Sequence, residues 1–379
     1  MTAKQLVGKL HRWLGLTSGL VVFIVSITGA IFTFQDEIRD ATQPWRHAPG
    51  SSTNWLAPSQ LEATAVAHHA GATPSWVMYM GPGRSALILL TDKAGGYYVA
   101  SVDPYSGRWL HEQNLRYDFF TIIQEIHMYL LLPVAVAKWV VGGSVLIFVA
   151  MLITGIVLWW PKRKAERRQR FTIKWGSRWR RVNYDLHNVL GFYAASVAVV
   201  LALTGLVMTF EWVSNTVYFV SNGGETYPQE KTKPMVDTTQ LAQTARQPLI
   251  DLCYQQLKRN SPKAEMLYLS NPTTSKEPVY ALAYGRALHY YHRDEYYFHP
   301  TTGSLLKFMP HAAKSNGAKM SDVNYDLHTG QILGLGGKII AFLASLISAS
   351  LPVTGFLVWW GRRNKAKKPR QSLKHPVSA

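Results

Sequence analysis

Cysteine is almost missing from this chain of 379 residues. Cys253 is the single one, so no internal disulfide can form, and the CxxCH pattern of covalent haem attachment is absent. No Ser-His-Asp, HExxH or Walker pattern occurs, which leaves hydrolase and nucleotide-driven pump chemistry without support. A flavin or nicotinamide fingerprint is lacking too, so any electrons the chain handled would come from a separate donor. Charge is missing from four long apolar windows, about residues 13–34, 138–160, 187–210 and 338–360, none of which has an acidic or basic residue in its middle. Each is long enough as a helix to cross a bilayer core, which takes ~20 residues. The near-zero mean hydropathy of −0.03 only averages these runs with polar blocks.

Acidic residues are scarce in three further places. Segments 1–12, 161–182 and 361–379 hold 20 of the 40 Lys and Arg residues and one acidic residue, Glu166. The rest of the chain, with 20 basic and 21 acidic residues, is close to neutral. Basic residues packed against membrane ends set orientation by the positive-inside rule. With four crossings all three segments fall on one side, which predicts both termini in the cytoplasm and the two long loops outside. Attraction to anionic lipid heads explains this charge with fewer assumptions than nucleic-acid binding does, so membrane lipid is the expected partner and nucleic acid is not. The first apolar run is too long for a typical signal core and matches an internal copy, which predicts a retained anchor.

What is present is duplication. LHRWLGLTSGLVVFIVSITGAIFTF at 10–34 returns as LHNVLGFYAASVAVVLALTGLVMTF at 186–210, pairing His11 with His187, Thr28 with Thr204 and Gly29 with Gly205 at an offset of 176. MLITGIVLWW at 151–160 returns as LPVTGFLVWW at 351–360, and a histidine precedes each, His127 in QEIHMYLLL and His328 in YDLHTGQIL. The unit of roughly half the chain is written twice, and such repeats define architecture.

Both long loops have strand-and-turn texture. In the first, residues 59–70 favour helix, and strands are expected at 86–90, at 95–102 and from Arg108 after the turn Asp103-Pro104-Tyr105-Ser106-Gly107. In the second, residues 239–259 favour helix. Strands are expected at 279–284, at 290–299 and from Ser304 after His299-Pro300-Thr301-Thr302-Gly303. Each loop reads as a small α+β domain.

The LHxxLG head, the TG near the far end of each helix and the TGxxxWW exit resemble the PepSY-associated transmembrane family, and the D-P-x-x-G turn resembles PepSY domains. His299 replaces the aspartate in the second turn, which argues against a catalytic role for that position. The resemblance covers nearly the whole chain. It implies a membrane protein with four transmembrane α-helices, arranged as two tandem repeats of a helix pair, and two small α+β PepSY-like extracytoplasmic domains. The boundaries are a cytoplasmic N-terminus with helix one (1–34), a first periplasmic domain (35–126), helix two with a lead-in (127–160) and a basic cytoplasmic loop (161–182). Helix three (183–211), a second periplasmic domain (212–326), helix four with a lead-in (327–361) and a basic cytoplasmic tail (362–379) follow. Within the family the chain most resembles the ferric-siderophore reductases of the bacterial inner membrane, which bind haem and reduce iron carried by a siderophore.

Of 13 histidines, four sit at helix ends next to the bilayer: His11, His127, His187 and His328. An ionisable side chain there is a functional candidate by default, although a solvated interfacial histidine costs little. Two facing imidazoles suit the two axial positions of a haem iron, held by bundle helices. The expectation is two b-type haems, one on His11 and His187 at the cytoplasmic end and one on His127 and His328 towards the outside. The glycines near them (Gly15, Gly19, Gly191) leave room for a flat macrocycle or serve close helix packing. From His127 to Trp160 is about 50 Å if all helix, and His328 to Trp360 is similarly long, so either these helices project outward or the chain bends near Pro133 and near 334–337. The electron donor would be quinol or a cytoplasmic reductase, and the product Fe(II), which hard oxygen donors hold weakly. The alternative is a membrane-anchored PepSY module that binds a peptide or protease and has no redox activity. His68, His69, Arg84, Arg108, Arg293 and the run 290–293 read as loop or strand faces, and the tandem tryptophans at 159–160 and 359–360 as interfacial belts.

Overall fold

The computed structural model describes every residue except 162, 164–169, 238–246 and 367–379. Parts of the expected basic loop, of the tail and of the helix over 239–259 therefore lie outside the described residues. The described chain divides into two compact units, one of residues 1–30, 126–206 and 340–379, the other of residues 31–125 and 207–339.

The first unit is helical. Among the described residues four helices are long and apolar enough to cross a membrane. They are α1 (Ala3–Thr33), α5 (Val134–Trp159), α6 (Trp179–Thr209) and α10 (Gly334–Ala366). Large apolar side chains on them stay exposed, Leu20 at 72 % and Ile153 at 59 %. That is the pattern of helices whose outer faces meet lipid rather than water. Small residues close the gaps between helices, with Ala194, Ala195, Ala198 and Ala202 of α6 all buried.

Two breaks precede the second and fourth spans. Helix α4 (Phe119–Tyr129) ends at Leu130 and Leu131, both with left-handed φ of 51° and 58°, before Pro133 starts α5. Helix α9 (Asn316–Thr329) stops at Gly330, φ 76°. A Cβ at Gly330 would stand 2.3 Å from the Gly337 carbonyl oxygen, so only glycine fits this corner. Both bends fall where the length argument allows them.

The second unit is built on one antiparallel sheet of eight strands in the order β4-β3-β2-β1-β5-β6-β7-β8. Strands β1 (Thr73–Tyr79), β2 (Ala86–Thr91), β3 (Tyr97–Val102) and β4 (Trp109–Asn114) come from the first loop. Strands β5 (Met266–Ser270), β6 (Val279–Tyr284), β7 (Arg293–Phe298) and β8 (Leu305–Met309) come from the second. The loops meet at β1 and β5, with Trp76 opposite Ser270 and Tyr79 opposite Leu267. That pairing removes the two edges the halves would otherwise expose. Helix α3 (Pro58–His68) and helix α8 (Leu249–Asn260) cover one face over a shared core that includes Leu61, Ile88, Leu257 and Leu269. Helices α2 (Gln35–Thr42) and α7 (Glu211–Ser221) each directly follow a membrane helix.

The two Pro-x-x-Gly turns are built alike. Asp103 accepts hydrogen bonds from the Tyr105 N–H (2.9 Å) and the Ser106 hydroxyl (2.6 Å). His299 does the same work with Nδ1, 3.0 Å from the Thr301 Oγ1, while Nε2 donates to the Asp237 carbonyl at 2.8 Å. Both side chains cap their own turn, so the histidine is a structural replacement.

Candidate functional site

The helical unit brings His11 of α1 and His187 of α6 together. Their ring centroids are 6.5 Å apart and their planes cross at 82°. Each histidine sits in the third turn of its helix and reaches across to a threonine near the far end of another. His11 Nδ1 is 2.9 Å from Thr154 Oγ1 on α5, and His187 Nδ1 is 2.9 Å from Thr354 Oγ1 on α10. Both threonine hydroxyls donate within their own helices, Thr154 to the Ala150 carbonyl (2.9 Å) and Thr354 to the Ser350 carbonyl (2.9 Å). A hydroxyl whose proton is committed can only accept, so Nδ1 of each histidine is the N–H and the lone pair is on Nε2.

Around the pair is a cavity of about 730 Å³. Gly15, Gly19 and Gly191, singled out in the sequence, line it, as do the aromatic faces of Trp159 and Phe192. Lys4, Arg12, Arg170 and Arg363 also line it, and among the described residues no carboxylate does. Such a site favours an anionic ligand with a large apolar body. Trp159 is 4 % exposed, stacks on Phe192 at 3.8 Å and donates Nε1 to the Arg170 carbonyl at 3.1 Å. It is therefore part of the cavity wall, whereas Trp160, 63 % exposed, keeps the outward position expected of a membrane belt.

The other end of α1 repeats the motif. His127, on α4, has Nδ1 2.9 Å from the Val25 carbonyl and 3.2 Å from Thr28 Oγ1. Thr28 donates to the Ile24 carbonyl at 2.8 Å. A carbonyl beside Nδ1 again makes that nitrogen the donor. Thr28 lies 17 residues beyond His11, ~25 Å along the helix. His328 is carried by α9 in the sheet-bearing unit.

Several of the other histidines and arginines singled out in the sequence have structural partners. His68 stacks on Trp109 at 4.7 Å, and His69 Nδ1 meets Glu112 at 2.9 Å. Arg84 pairs with Asp40, and Arg293 with Asp322 at 2.7 Å. Burial pushes the Cys253 thiol up to about 12, so it is inert. Among the described residues no group of three or more His, Cys, Asp and Glu side chains could hold a metal ion.

The roles of Thr154, Thr354 and Thr28 were not read from the sequence. Their signal was there, since TG recurs in every apolar run.

Four apolar helices among the described residues define a multi-pass membrane protein, and a cavity lined by two histidines lies in its helical unit. The chain matches the PepSY-associated TM region over residues 9–362 and belongs to that family. No curated protein matches it in sequence.

Proposed function

We propose that the protein is a haem-containing reductase of the bacterial inner membrane that passes electrons outward to ferric siderophore and releases Fe(II) in the periplasm. The observation that carries this reading is the separation of His11 and His187. Two metal–nitrogen bonds of ~2.0–2.1 Å and two imidazole radii of ~1.2 Å sum to ~6.4–6.6 Å between ring centroids, against 6.5 Å here. That separation suits an iron that both histidines would hold, and a 730 Å³ cavity lined by glycines and aromatic residues would have room for a macrocycle. A haem bound there supplies a one-electron couple in a low-dielectric setting.

The chain's own residues do the rest. His11 and His187 ligate through Nε2, and Thr154 and Thr354 hold each ring by Nδ1–H. Lys4, Arg12, Arg170 and Arg363 supply the positive charge that porphyrin carboxylates need, while Trp159 and Phe192 wall the site. A second b-type haem is proposed on His127, whose Nδ1 also faces a threonine oxygen as those of His11 and His187 do. Two sites spaced along α1 would divide a ~30 Å crossing into shorter electron-transfer steps. The chain is then two tandem repeats, with PepSY-like halves of the sheet facing the periplasm and basic segments facing the cytoplasm. The donor is quinol or a cytoplasmic reductase.

The test is the absorbance of protein purified from haem-replete cells. A Soret band that shifts on dithionite is expected, with His11→Ala or His187→Ala halving the low-spin signal. A colourless wild-type protein overturns the proposal and favours the membrane-anchored regulatory module.

A further inference from the structure

We infer that the Thr–Gly dipeptides at 154–155, 354–355 and 28–29 are clasps for His11, His187 and His127. In each, the threonine oxygen accepts from Nδ1, joined by the Val25 carbonyl at His127 and the Leu351 carbonyl at His187, while the glycine admits the ring's edge. This rests on the haem reading for its redox consequence but not for its geometry.

Three observations make the clasp a unit rather than three coincidences. In every case the threonine oxygen lies within 3.2 Å of Nδ1, and never faces Nε2. The next residue meets the same ring at Cε1, the carbon bonded to Nδ1. A Cβ on Gly155 would stand 3.4 Å from His11 Cε1, one on Gly355 3.2 Å from His187 Cε1, and one on Gly29 3.0 Å from His127 Cε1. The hydroxyl protons of Thr154, Thr354 and Thr28 are all committed to carbonyls of their own helix, which leaves each oxygen as an acceptor. Elsewhere the surroundings differ. His68 Nδ1 bonds the Thr64 carbonyl of its own helix, and His69 bonds a carboxylate.

The physical role follows from what a hydroxyl acceptor does to a metal-ligating imidazole. Accepting from Nδ1–H fixes ring orientation and makes Nε2 a stronger donor, as outer partners of ligating histidines generally do. A neutral hydroxyl does this without placing a buried carboxylate beside the site. Thr154, Thr354 and Thr28 are therefore positioning residues, and the stronger ligand favours the ferric over the ferrous state.

The test uses the full chain in detergent, with Thr154→Val, Thr354→Val and the rescue variants Thr154→Ser and Thr354→Ser. Valine keeps the shape and removes the acceptor. In protein prepared without haem, ¹⁵N NMR of labelled histidines should show His11 and His187 as Nδ1–H tautomers. The matching valine variant should convert one of them to a mixture or to Nε2–H, and serine should restore it. In haem-loaded protein the valine variants should retain haem ~10–100-fold less tightly. Their midpoint potential should rise, by up to the ~59 mV that a tenfold change means for one electron, and serine should reverse both. Valine variants with wild-type tautomers and potentials overturn the clasp, as does failure of serine to rescue. A wild-type chain that takes up no haem overturns the reductase reading alone, because the tautomer measurement still decides the clasp.

Discussion

Gly29 lies against the imidazole of His127, so close that a Cβ added to it would stand 3.0 Å from Cε1. The equivalent distances are 3.2 Å at Gly355 and 3.4 Å at Gly155. In a plain helix, alanine in place of glycine is favourable by ~0.5–1 kcal/mol. Here each methyl pushes on a ring whose Nδ1 is already held by hydrogen bonds. Haem retention should fall in the order Gly29→Ala, then Gly355→Ala, then Gly155→Ala, with helix content unchanged. The haem-to-protein ratio after purification checks this, and three equal ratios would refute the steric argument.

Lys314 is the most buried cation of the sheet-bearing unit, with Nζ 2.7 Å from Glu295 and 2.6 Å from Asp322 and no side-chain exposure. Burial works to raise the Glu295 carboxyl, and Lys314 outweighs that and holds it below its ordinary range. Lys314→Met should destabilise the unit by ~3–5 kcal/mol, because it leaves buried carboxylates short of a partner. Adding Asp322→Leu should recover part of the loss. Thermal unfolding of both variants measures it, and an unchanged midpoint for the single variant would refute the prediction.

Glu62 on α3 accepts a 2.6 Å hydrogen bond from the Asn271 amide. Burial pushes its carboxyl up to about 7, with the Asn271 bond opposing and Asp251 adding to the rise. A carboxyl whose pKa is raised by folding binds its proton more tightly when folded. Its contribution therefore favours the fold below the unfolded value of 4.5 and is lost as pH rises towards 7. Glu62→Gln keeps an oxygen for Asn271 and removes the charge. It should stabilise the unit by roughly 2–3 kcal/mol at pH 8 and by almost nothing at pH 4. Equal effects at both pH values would show that charge is not the cause.

His311 gives the opposite sign. It packs on His292 with centroids 4.2 Å apart, and burial together with that neighbour pushes its pKa down to about 4. The contribution is present above the unfolded value of 6.5 and is lost as pH falls towards 4. His311→Phe should flatten the acid limb of the stability profile between those values, which pH-dependent thermal unfolding measures.

Much of the fold was legible because it depends on local pattern. Apolar runs without charge marked the four spans, and the Asp103 and His299 turns marked where β3 and β7 end. Strand 279–284 agrees with β6, while the strand expected over 290–299 starts only at Arg293, since 290–292 belong to the loop before it. Strands β1 and β5 were not anticipated. Pro74 and the bulge beside it hide the alternation of β1, and the five residues of β5 are too few to show a pattern of their own.

By itself the sequence determined the membrane class, the duplicated histidine and Thr–Gly motifs, and the segregation of positive charge. Each of these is written in neighbouring residues, through hydropathy, periodicity and repetition. Only the tertiary structure decided which histidine meets which threonine. His11 and Thr154 are 143 residues apart, and His187 and Thr354 are 167 apart. It also decided that β1 and β5 pair, joining both loops in one sheet. The physical reason is common to both. A helix face or strand edge offers donors and acceptors that many partners could satisfy, and the partner is chosen by how whole elements pack.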